Sequence, residues 1–280
     1  AVSAWLQALL LGIVQGLTEF LPVSSSGHLV LSQALLGESF EFKDMAVAFD
    51  LVLHLGTLLP VLYFYRADIL RILRSLTEVG EIREAGGVGL WLRGHAYRWL
   101  AVCVVVGTLP TALIGVLFKD SFEALFHSAT AVCGALFLTG TLLFATRFLG
   151  RGDVARQHLG LGIAFAVGLA QGFAITPGIS RSGSTIAIGL LLGLQRDVAA
   201  RLSFLLSIPA ILGAVVLVAK DGVALPAGSG PALVIGFLSS MIVGYAALVM
   251  LVSLVRRGGL HNFAYYLWPV SILGLILLNR

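Results

Sequence analysis

The sequence predicts an all-α polytopic membrane protein with an inverted-topology repeat. It would hold six spanning helices and two re-entrant helical hairpins, about ten helical segments in total. Hydrophobic residues make up 58% of the chain and charged residues only 11%, whereas soluble domains are roughly 25% charged. A polar motif also occurs twice within the apolar sequence, and three apolar stretches follow each copy.

Apolar stretches define the helical segments, since a spanning helix needs about 20 mostly apolar residues. Two stretches, 4–36 and 159–193, are apolar at both ends but are interrupted by Pro, Gly and Ser. Each is too long for one span and too polar at its centre. We therefore interpret each as a re-entrant hairpin, with a non-helical loop between two half-helices. The six predicted spans are 47–65, 99–118, 129–148, 201–219, 231–255 and 263–279.

The repeated motif lies at the centre of the two hairpins. Residues 15–27 read Gln-Gly-Leu-Thr-Glu-Phe-Leu-Pro-Val-Ser-Ser-Ser-Gly, and residues 171–183 read Gln-Gly-Phe-Ala-Ile-Thr-Pro-Gly-Ile-Ser-Arg-Ser-Gly. Both keep Gln-Gly, seven residues, and then Ser-x-Ser-Gly. The first copy contains Glu19 and is followed by His28, and the second contains Arg181.

The number of membrane crossings relates the two halves of the chain. A hairpin that returns to its own side adds no crossing, so each half, 1–150 and 151–280, consists of one hairpin and three spans. Because three is odd, the second half is inverted relative to the first, and the two hairpin loops can meet near the midplane. We therefore expect the two motifs to form complementary parts of one site.

The distribution of positive charge supports this topology independently. It places 13 Lys and Arg residues on one side, around 66–98, 147–156, 196–201 and 256–257, and only 4 on the other. By the positive-inside rule the Arg-rich side is cytoplasmic. Both termini are then extracytoplasmic, with the first hairpin opening outward and the second opening inward.

Other features of the chain narrow the classes of function. The net charge of +4 does not indicate nucleic acid binding, because the arginines are spread over short loops. The cysteines, Cys103 and Cys133, lie in separate apolar segments and form no disulfide framework or metal-ligand spacing. The loop 66–98 is expected to be a solvated connector with an amphipathic helix near 69–76.

Two acids lie inside apolar segments, Glu19 and Asp50. A charge buried in a membrane costs on the order of 3 kcal/mol, so each is a functional candidate. Glu19 follows Gln15 by four residues, which places both on one helix face. The alternative for Glu19 is a structural partner of a nearby hydroxyl, and for Asp50 an interfacial charge. Asp50 precedes His54 by one turn.

The first hairpin also contains hydroxyls and a histidine. His28 directly follows Ser24, Ser25, Ser26 and a glycine. An imidazole acts as a general acid or base near neutral pH, or as a nucleophile that accepts a phosphoryl group. The serines are alternative nucleophiles or donors to a developing oxyanion, and a purely structural His28 is the remaining alternative.

The second hairpin has the features of an anion site. Arg181 is the only one of the 18 cations predicted to lie in the membrane, and it precedes an apolar helical run. A helix N-terminus and a guanidinium together favour bidentate phosphate binding. The alternative is a simple ion pair between Arg181 and Glu19. The hydroxyls around Arg181 belong to Ser180, Ser182, Ser184 and Thr185.

These motifs resemble those of the bacterial undecaprenyl-pyrophosphate phosphatase (bacitracin-resistance) family. The segments that carry the resemblance are 19–28, Glu-Phe-Leu-Pro-Val-Ser-Ser-Ser-Gly-His, and 177–185, Pro-Gly-Ile-Ser-Arg-Ser-Gly-Ser-Thr. It extends through 49–56 and 203–209. The family has Pro-Gly-x-Ser-Arg-Ser-x-x-Thr in its second motif, and many members have Glu where this chain has Gln15.

The resemblance implies an enzyme that hydrolyses undecaprenyl (C55) pyrophosphate to undecaprenyl phosphate and inorganic phosphate, recycling the carrier lipid of cell-wall synthesis. It implies a divalent cation, Mg²⁺ or Ca²⁺, held by Glu19 with Gln15 as a weaker ligand. The implied catalytic residues are Glu19, His28, Ser25 and Arg181, with Ser25, His28 or water as the attacking group. The implied substrate-binding residues are Ser24, Ser26, Ser180, Ser182, Thr185, Gly178 and His54.

Inverted repeats also occur in secondary transporters, so a polyprenyl-phosphate flippase is the alternative function. The partners expected in either case are a polyprenyl pyrophosphate or phosphate lipid and the surrounding membrane lipid. The sequence leaves formation of a homodimer open.

Overall fold

The computed structural model describes residues 3–36, 42, 45–78, 82, 85–149, 158–220 and 228–278. This part of the chain contains thirteen α-helices, which we number in chain order, and short 3₁₀ turns at Thr146–Phe148 and Leu260–Phe263. The helices are α1 Ala4–Phe20, α2 Ser25–Leu36, α3 Ala46–Phe64, α4 Arg66–Thr77, α5 Val88–Arg93, α6 Ala96–Leu117, α7 Lys119–Phe126, α8 Ala129–Ala145, α9 Leu161–Phe173, α10 Arg181–Leu191, α11 Arg196–Lys220, α12 Gly230–Arg256 and α13 Ala264–Leu278.

In the described part of the chain, six helical segments are long and apolar enough to cross a membrane, and each begins and ends within five residues of a predicted span. The prediction of a multi-pass, all-helical membrane protein is therefore confirmed. The segments are Ala46–Phe64, Ala96–Leu117, Ala129–Phe148, Arg196–Lys220, Gly230–Arg256 and Leu260–Leu277.

The two interrupted stretches form broken helical hairpins. The helix α1 has 17 residues and α9 has 13, both shorter than the roughly 20 that a span requires. The breaks fall where proline disfavours helix in the residue before it, at Pro22 and at Pro177. The predicted order of helix, non-helical loop and helix is confirmed for both hairpins.

Each hairpin packs mainly against the opposite half of the chain. The helix α1 lies along α12, and α9 lies along α6. These contacts bring backbones close together, because a methyl group at Gly12 would lie 2.6 Å from the Gly236 carbonyl oxygen and one at Gly168 would collide with Gly107. Small residues allow such close approach between membrane helices. This exchange of partners fits an inverted repeat, and the division into 1–150 and 151–280 stays a prediction.

The loop predicted between 66 and 98 contains more structure than a solvated connector. The amphipathic helix expected near 69–76 is present as α4. Arg98, which we counted among the loop arginines, lies inside α6 and is only 4% exposed. Its guanidinium donates to the Glu78 carboxylate over 2.6 Å and lies 4.3 Å from the Trp91 ring centroid. A buried arginine of this kind is paired because an isolated charge could not be desolvated.

Candidate active site

The loops of the two hairpins contact each other directly. The backbone N–H of Gly178 donates to Ser24 Oγ over 3.1 Å, and Ser182 Oγ donates to the Phe20 carbonyl over 2.9 Å. Gly27 lies against Gly178, where a methyl group would come within 3.0 Å of the Gly178 α-carbon. The two motifs therefore meet, as expected, through direct contacts between their loops, and the inversion of the second half stays a prediction.

Gly178 is required at this contact for two reasons. Its φ of +94° is a conformation that side chains disfavour, and a methyl group there would collide with the Val132 carbonyl oxygen. We expect Gly178→Ala to destabilise the fold by at least about 1–2 kcal/mol from the backbone conformation alone, and to lower activity because the loops separate. Gly134→Ala is the matched control, since that helical glycine has open space around it. Thermal unfolding in detergent checks both variants, and equal midpoints would contradict the prediction.

Glu19 lies at the centre of the joined loops and is 7% exposed. Its Oε1 accepts from Arg181 Nη2 over 2.5 Å. Its Oε2 accepts from Ser25 Oγ over 2.7 Å and from Gln15 Nε2 over 3.0 Å, and His54 Nε2 lies 3.4 Å away. A buried carboxylate needs such compensation because desolvation strongly disfavours its charge.

Arg181 pairs with Glu19 but keeps one donor free. Its Nη1 atom is buried and has no hydrogen-bond partner among the described residues, and the same is true of Ser184 Oγ. An unsatisfied buried donor costs about 1–3 kcal/mol, so a native protein seldom keeps one without a purpose. The start of α10 also carries the positive end of a helix dipole. Together these features are suited to an anionic ligand.

The other hydroxyls of the second loop are engaged in protein contacts. Ser180 caps α10, with its Oγ accepting from the Gly183 N–H over 3.1 Å. Ser182 bonds the first loop, as described above, and Thr185 Oγ1 lies 2.6 Å from Ser203 Oγ. Direct substrate binding by these three hydroxyls stays a prediction, but the contacts identify them as groups that hold the loop in shape.

Ser24 adopts a left-handed backbone conformation, with φ +70°, and among the described residues it is the only non-glycine residue with positive φ. Its carbonyl oxygen contacts His28 Nδ1 over 2.8 Å, and its Oγ lies 3.3 Å from Ser26 Oγ. Strained residues of this kind are enriched at functional sites. The turn directs the next residue, Ser25, toward Glu19.

The structure separates the two predicted nucleophiles. Ser25 contacts Glu19, whereas His28 Nε2 lies 2.8 Å from the hydroxyl of Tyr266 on α13. No hydrogen bond or ion pair joins His28 to Glu19 in the described part of the chain. His54, predicted only as a weak substrate-binding residue, instead lies beside Glu19.

Asp50, the second acid of the apolar segments, is not among the contacts of Glu19. Its Oδ1 accepts from Gln33 Nε2 over 3.0 Å, which joins α2 to α3. Its backbone carbonyl lies 2.7 Å from His54 Nδ1. Asp50 therefore contacts His54 through its backbone, and its carboxylate contacts Gln33.

A divalent cation was predicted from Glu19 and Gln15. Within the described residues no group of three or more His, Cys, Asp or Glu side chains gathers to form a protein-only site. However, Gln15 Oε1 is buried and has no hydrogen-bond partner among the described residues, and the same amide donates through Nε2 to the Glu19 carboxylate. Mg²⁺ is often bound by one or two carboxylates together with substrate phosphates. The donors present therefore fit a cation that is shared with a phosphate ligand.

The fold and this site define a polytopic helical membrane protein in which two broken hairpins join an acid–hydroxyl loop to an arginine loop. A family model described as bacitracin resistance protein BacA matches residues 8–273. The chain belongs to this family.

Curated relatives match this chain over nearly its whole length. A protein of Methanobrevibacter smithii is 44% identical over 271 residues, covering 96% of this chain and 95% of its own. One of Desulfosudis oleivorans is 46% identical over 262 residues, covering 93% and 94%. One of Rubrobacter xylanophilus is 43% identical over 274 residues, covering 96% of each. All three are named undecaprenyl-diphosphatase.

Proposed function

We propose that this protein is an integral membrane undecaprenyl-diphosphatase that hydrolyses undecaprenyl diphosphate to undecaprenyl phosphate and inorganic phosphate. Family membership over nearly the whole chain supports the reaction. The contact of Glu19 with both Ser25 and Arg181 is the structural observation that carries it, because it puts a hydroxyl nucleophile next to an anion-binding group. The transport alternative is not favoured by these relatives.

The proposed setting is the bacterial inner membrane, where the enzyme would recycle the carrier lipid of peptidoglycan synthesis and contribute to bacitracin resistance. The Arg-rich face would be cytoplasmic, both termini would be extracytoplasmic, and the hairpins would be re-entrant. The charge count of 13 against 4 supports this orientation. The pyrophosphate would then reach the site from the extracytoplasmic side, with its polyprenyl tail among the lipids.

Phosphate binding is assigned to the second hairpin. Arg181 Nη1 is a buried donor that lacks a partner in the described chain, so it can donate to a phosphate oxygen while Nη2 holds Glu19. Donors that are already positioned stabilise the charge that develops on phosphoryl transfer, with no cost of reorganisation at that moment. The positive end of α10 adds to this field.

Ser25 is the proposed nucleophile. Its Oγ attacks the terminal phosphorus while its proton passes to Glu19 Oε2, 2.7 Å away. The bond between the terminal phosphorus and the bridging oxygen breaks, and the lipid monophosphate leaves with the bond electrons. Once Glu19 has passed its proton to the departing lipid monophosphate, water attacks the phosphoserine. Glu19 takes one proton from this water and returns it to Ser25 Oγ as the bond between Oγ and phosphorus breaks, and phosphate departs with the other proton. This route retains phosphorus on the protein between the two steps.

A divalent cation, Mg²⁺ or Ca²⁺, would be held by Glu19 and Gln15 and would neutralise charge on the pyrophosphate oxygens. We expect cation affinity to depend on a bound phosphate group, because the two protein oxygens alone make an incomplete site.

Titration calorimetry of the detergent-solubilised protein with Mg²⁺ tests this dependence. Methylenediphosphonate, which cannot be hydrolysed at its bridge, should raise the Mg²⁺ affinity at least about tenfold. Glu19→Gln should remove that increase. Equal Mg²⁺ affinity with and without the diphosphonate would contradict the shared site.

The reaction itself is tested by phosphate release from C55 and C15 pyrophosphates with the purified protein. Release above a protein-free blank supports the proposal. Movement of labelled polyprenyl phosphate across liposomes without phosphate release would instead support the flippase.

A further inference from the structure

We infer that Tyr266 is a positioning residue for this reaction. Its hydroxyl fixes the His28 ring, and His28 in turn stabilises the strained turn at Ser24 that directs Ser25 toward Glu19. The inference rests on the proposed function, with Ser25 as the attacking group. Tyr266 lies on α13, 238 residues from His28 in sequence. None of the sequence motifs includes it.

The helix that carries Ser25 has little packing to fix its position. Of the 12 residues of α2, only Gly27 and Leu29 are buried. The neighbouring elements that contact it most are α1 and α8. With so little buried surface, polar contacts at defined points are needed to fix the rotation of α2, and hence the direction of Ser25.

The turn before α2 is held by His28. The left-handed Ser24 is an unfavourable conformation for a residue with a side chain. Its carbonyl oxygen accepts the His28 backbone N–H over 3.1 Å and also contacts His28 Nδ1 over 2.8 Å. His28 thus contacts the same strained carbonyl twice, once through the backbone and once through the ring.

Elementary hydrogen-bond chemistry then fixes the role of Tyr266. A carbonyl oxygen only accepts, so the proton of a neutral imidazole is at Nδ1, and Nε2 is the acceptor. The Tyr266 hydroxyl, 2.8 Å away, donates to Nε2, and the two rings stack with centroids 5.8 Å apart. Both nitrogens of His28 are therefore engaged, which suits a supporting residue better than a nucleophile.

The other end of α2 is joined to α3 by the hydrogen bond from Gln33 to Asp50. His28 lies near the start of α2 and Gln33 near its end, so loss of the Tyr266 hydroxyl would loosen the end that carries Ser25 while the other end keeps its contact. We therefore expect the chemical step, and not substrate affinity, to be affected.

The first experiment compares Tyr266→Phe with Tyr265→Phe. Both variants lose one hydroxyl from α13 and keep the ring, but the Tyr265 hydroxyl contacts Arg147 and not α2. Tyr266→Phe should lower kcat about fivefold to tenfold, the loss of one hydrogen bond, with KM within about twofold. Tyr265→Phe should leave kcat unchanged. An unchanged kcat in Tyr266→Phe, or a change confined to KM, would overturn the inference.

A double-mutant cycle separates positioning from general loosening of the fold. In a His28→Gln background, Tyr266→Phe should lower kcat by less than about twofold further, because its partner is already gone. An equal loss in both backgrounds would overturn the inference. Phosphate release by the wild type is measured in parallel, so failure of the proposed function shows separately as no release at all.

A labelling measurement covers the case in which His28→Gln has too little turnover to measure. Ser25→Cys is modified with a small maleimide, and the parent chain serves as blank because Cys103 and Cys133 are buried. Adding Tyr266→Phe should change the labelling rate at position 25 severalfold, and adding Tyr265→Phe should not. Identical rates in all three proteins would overturn the inference.

Discussion

Ser25→Ala is expected to lower phosphate release by at least about 10³-fold, because it removes the hydroxyl that attacks the phosphorus. The variant should fold normally, since the Ser25 side chain is only partly buried and Glu19 keeps its bonds to Gln15 and Arg181. Phosphate release from a C15 pyrophosphate measures the loss.

Ser32→Ala is the matched control, because Ser32 lies two turns farther along the same helix and is not among the described hydrogen-bond or ion-pair partners of Glu19. Acid-quenched incubation with substrate labelled in its terminal phosphate should leave label on the wild type and none on Ser25→Ala. Label retained by Ser25→Ala, or activity near that of the wild type, would exclude Ser25 and favour direct attack by water.

Arg181→Ala is expected to have two separable effects. It removes a donor to the phosphate, which costs about 10²–10³-fold in kcat for a single positioned donor. It also leaves the Glu19 carboxylate, 6% exposed, without its cation. Removing one partner of a buried ion pair costs about 3–5 kcal/mol of stability.

The double variant Arg181→Ala with Glu19→Gln distinguishes these effects. A neutral amide needs no cation, so the double variant should recover most of the thermal stability that Arg181→Ala loses. It should recover no activity. Wild-type kcat in Arg181→Ala would contradict the phosphate-binding role, and restored activity in the double variant would reduce Arg181 to a charge partner of Glu19.

Hydropathy and proline placement were sufficient to predict the six spans and the two hairpins, but not the short helices α5 and α7. The spans and both hairpins were predictable because an apolar run in a membrane has few alternatives to a helix, and breaks follow from Pro22 and Pro177. The meeting of the two loops followed from an odd number of spans in each half. Arg98 was predicted to lie in a solvated loop but is buried within α6. The sequence did not indicate this, because its partner Glu78 and the Trp91 ring approach it from separate elements.

The residues that form the site were more predictable than the contacts among them. The residues around Glu19 come from the motifs, apart from His54. The proposed choice of Ser25 over His28 rests on the contact between Ser25 and Glu19, and that contact depends on how α2 is rotated. We infer that this rotation is set by the turn at Ser24 and by Tyr266. A left-handed serine and a partner 238 residues away leave no periodic signal in a single sequence.

The exchange of packing partners between the halves also has a consequence for biogenesis. The helix α1 packs chiefly on α12, the second to last helix. During synthesis from the N-terminus, the first hairpin therefore exists long before residues 230–256 have left the ribosome. Until then the Gly12 face of α1, and the buried carboxylate near its end, lack their final neighbours. The first hairpin therefore cannot reach its final packing, or complete the surroundings of Glu19, until nearly the whole chain has been synthesised.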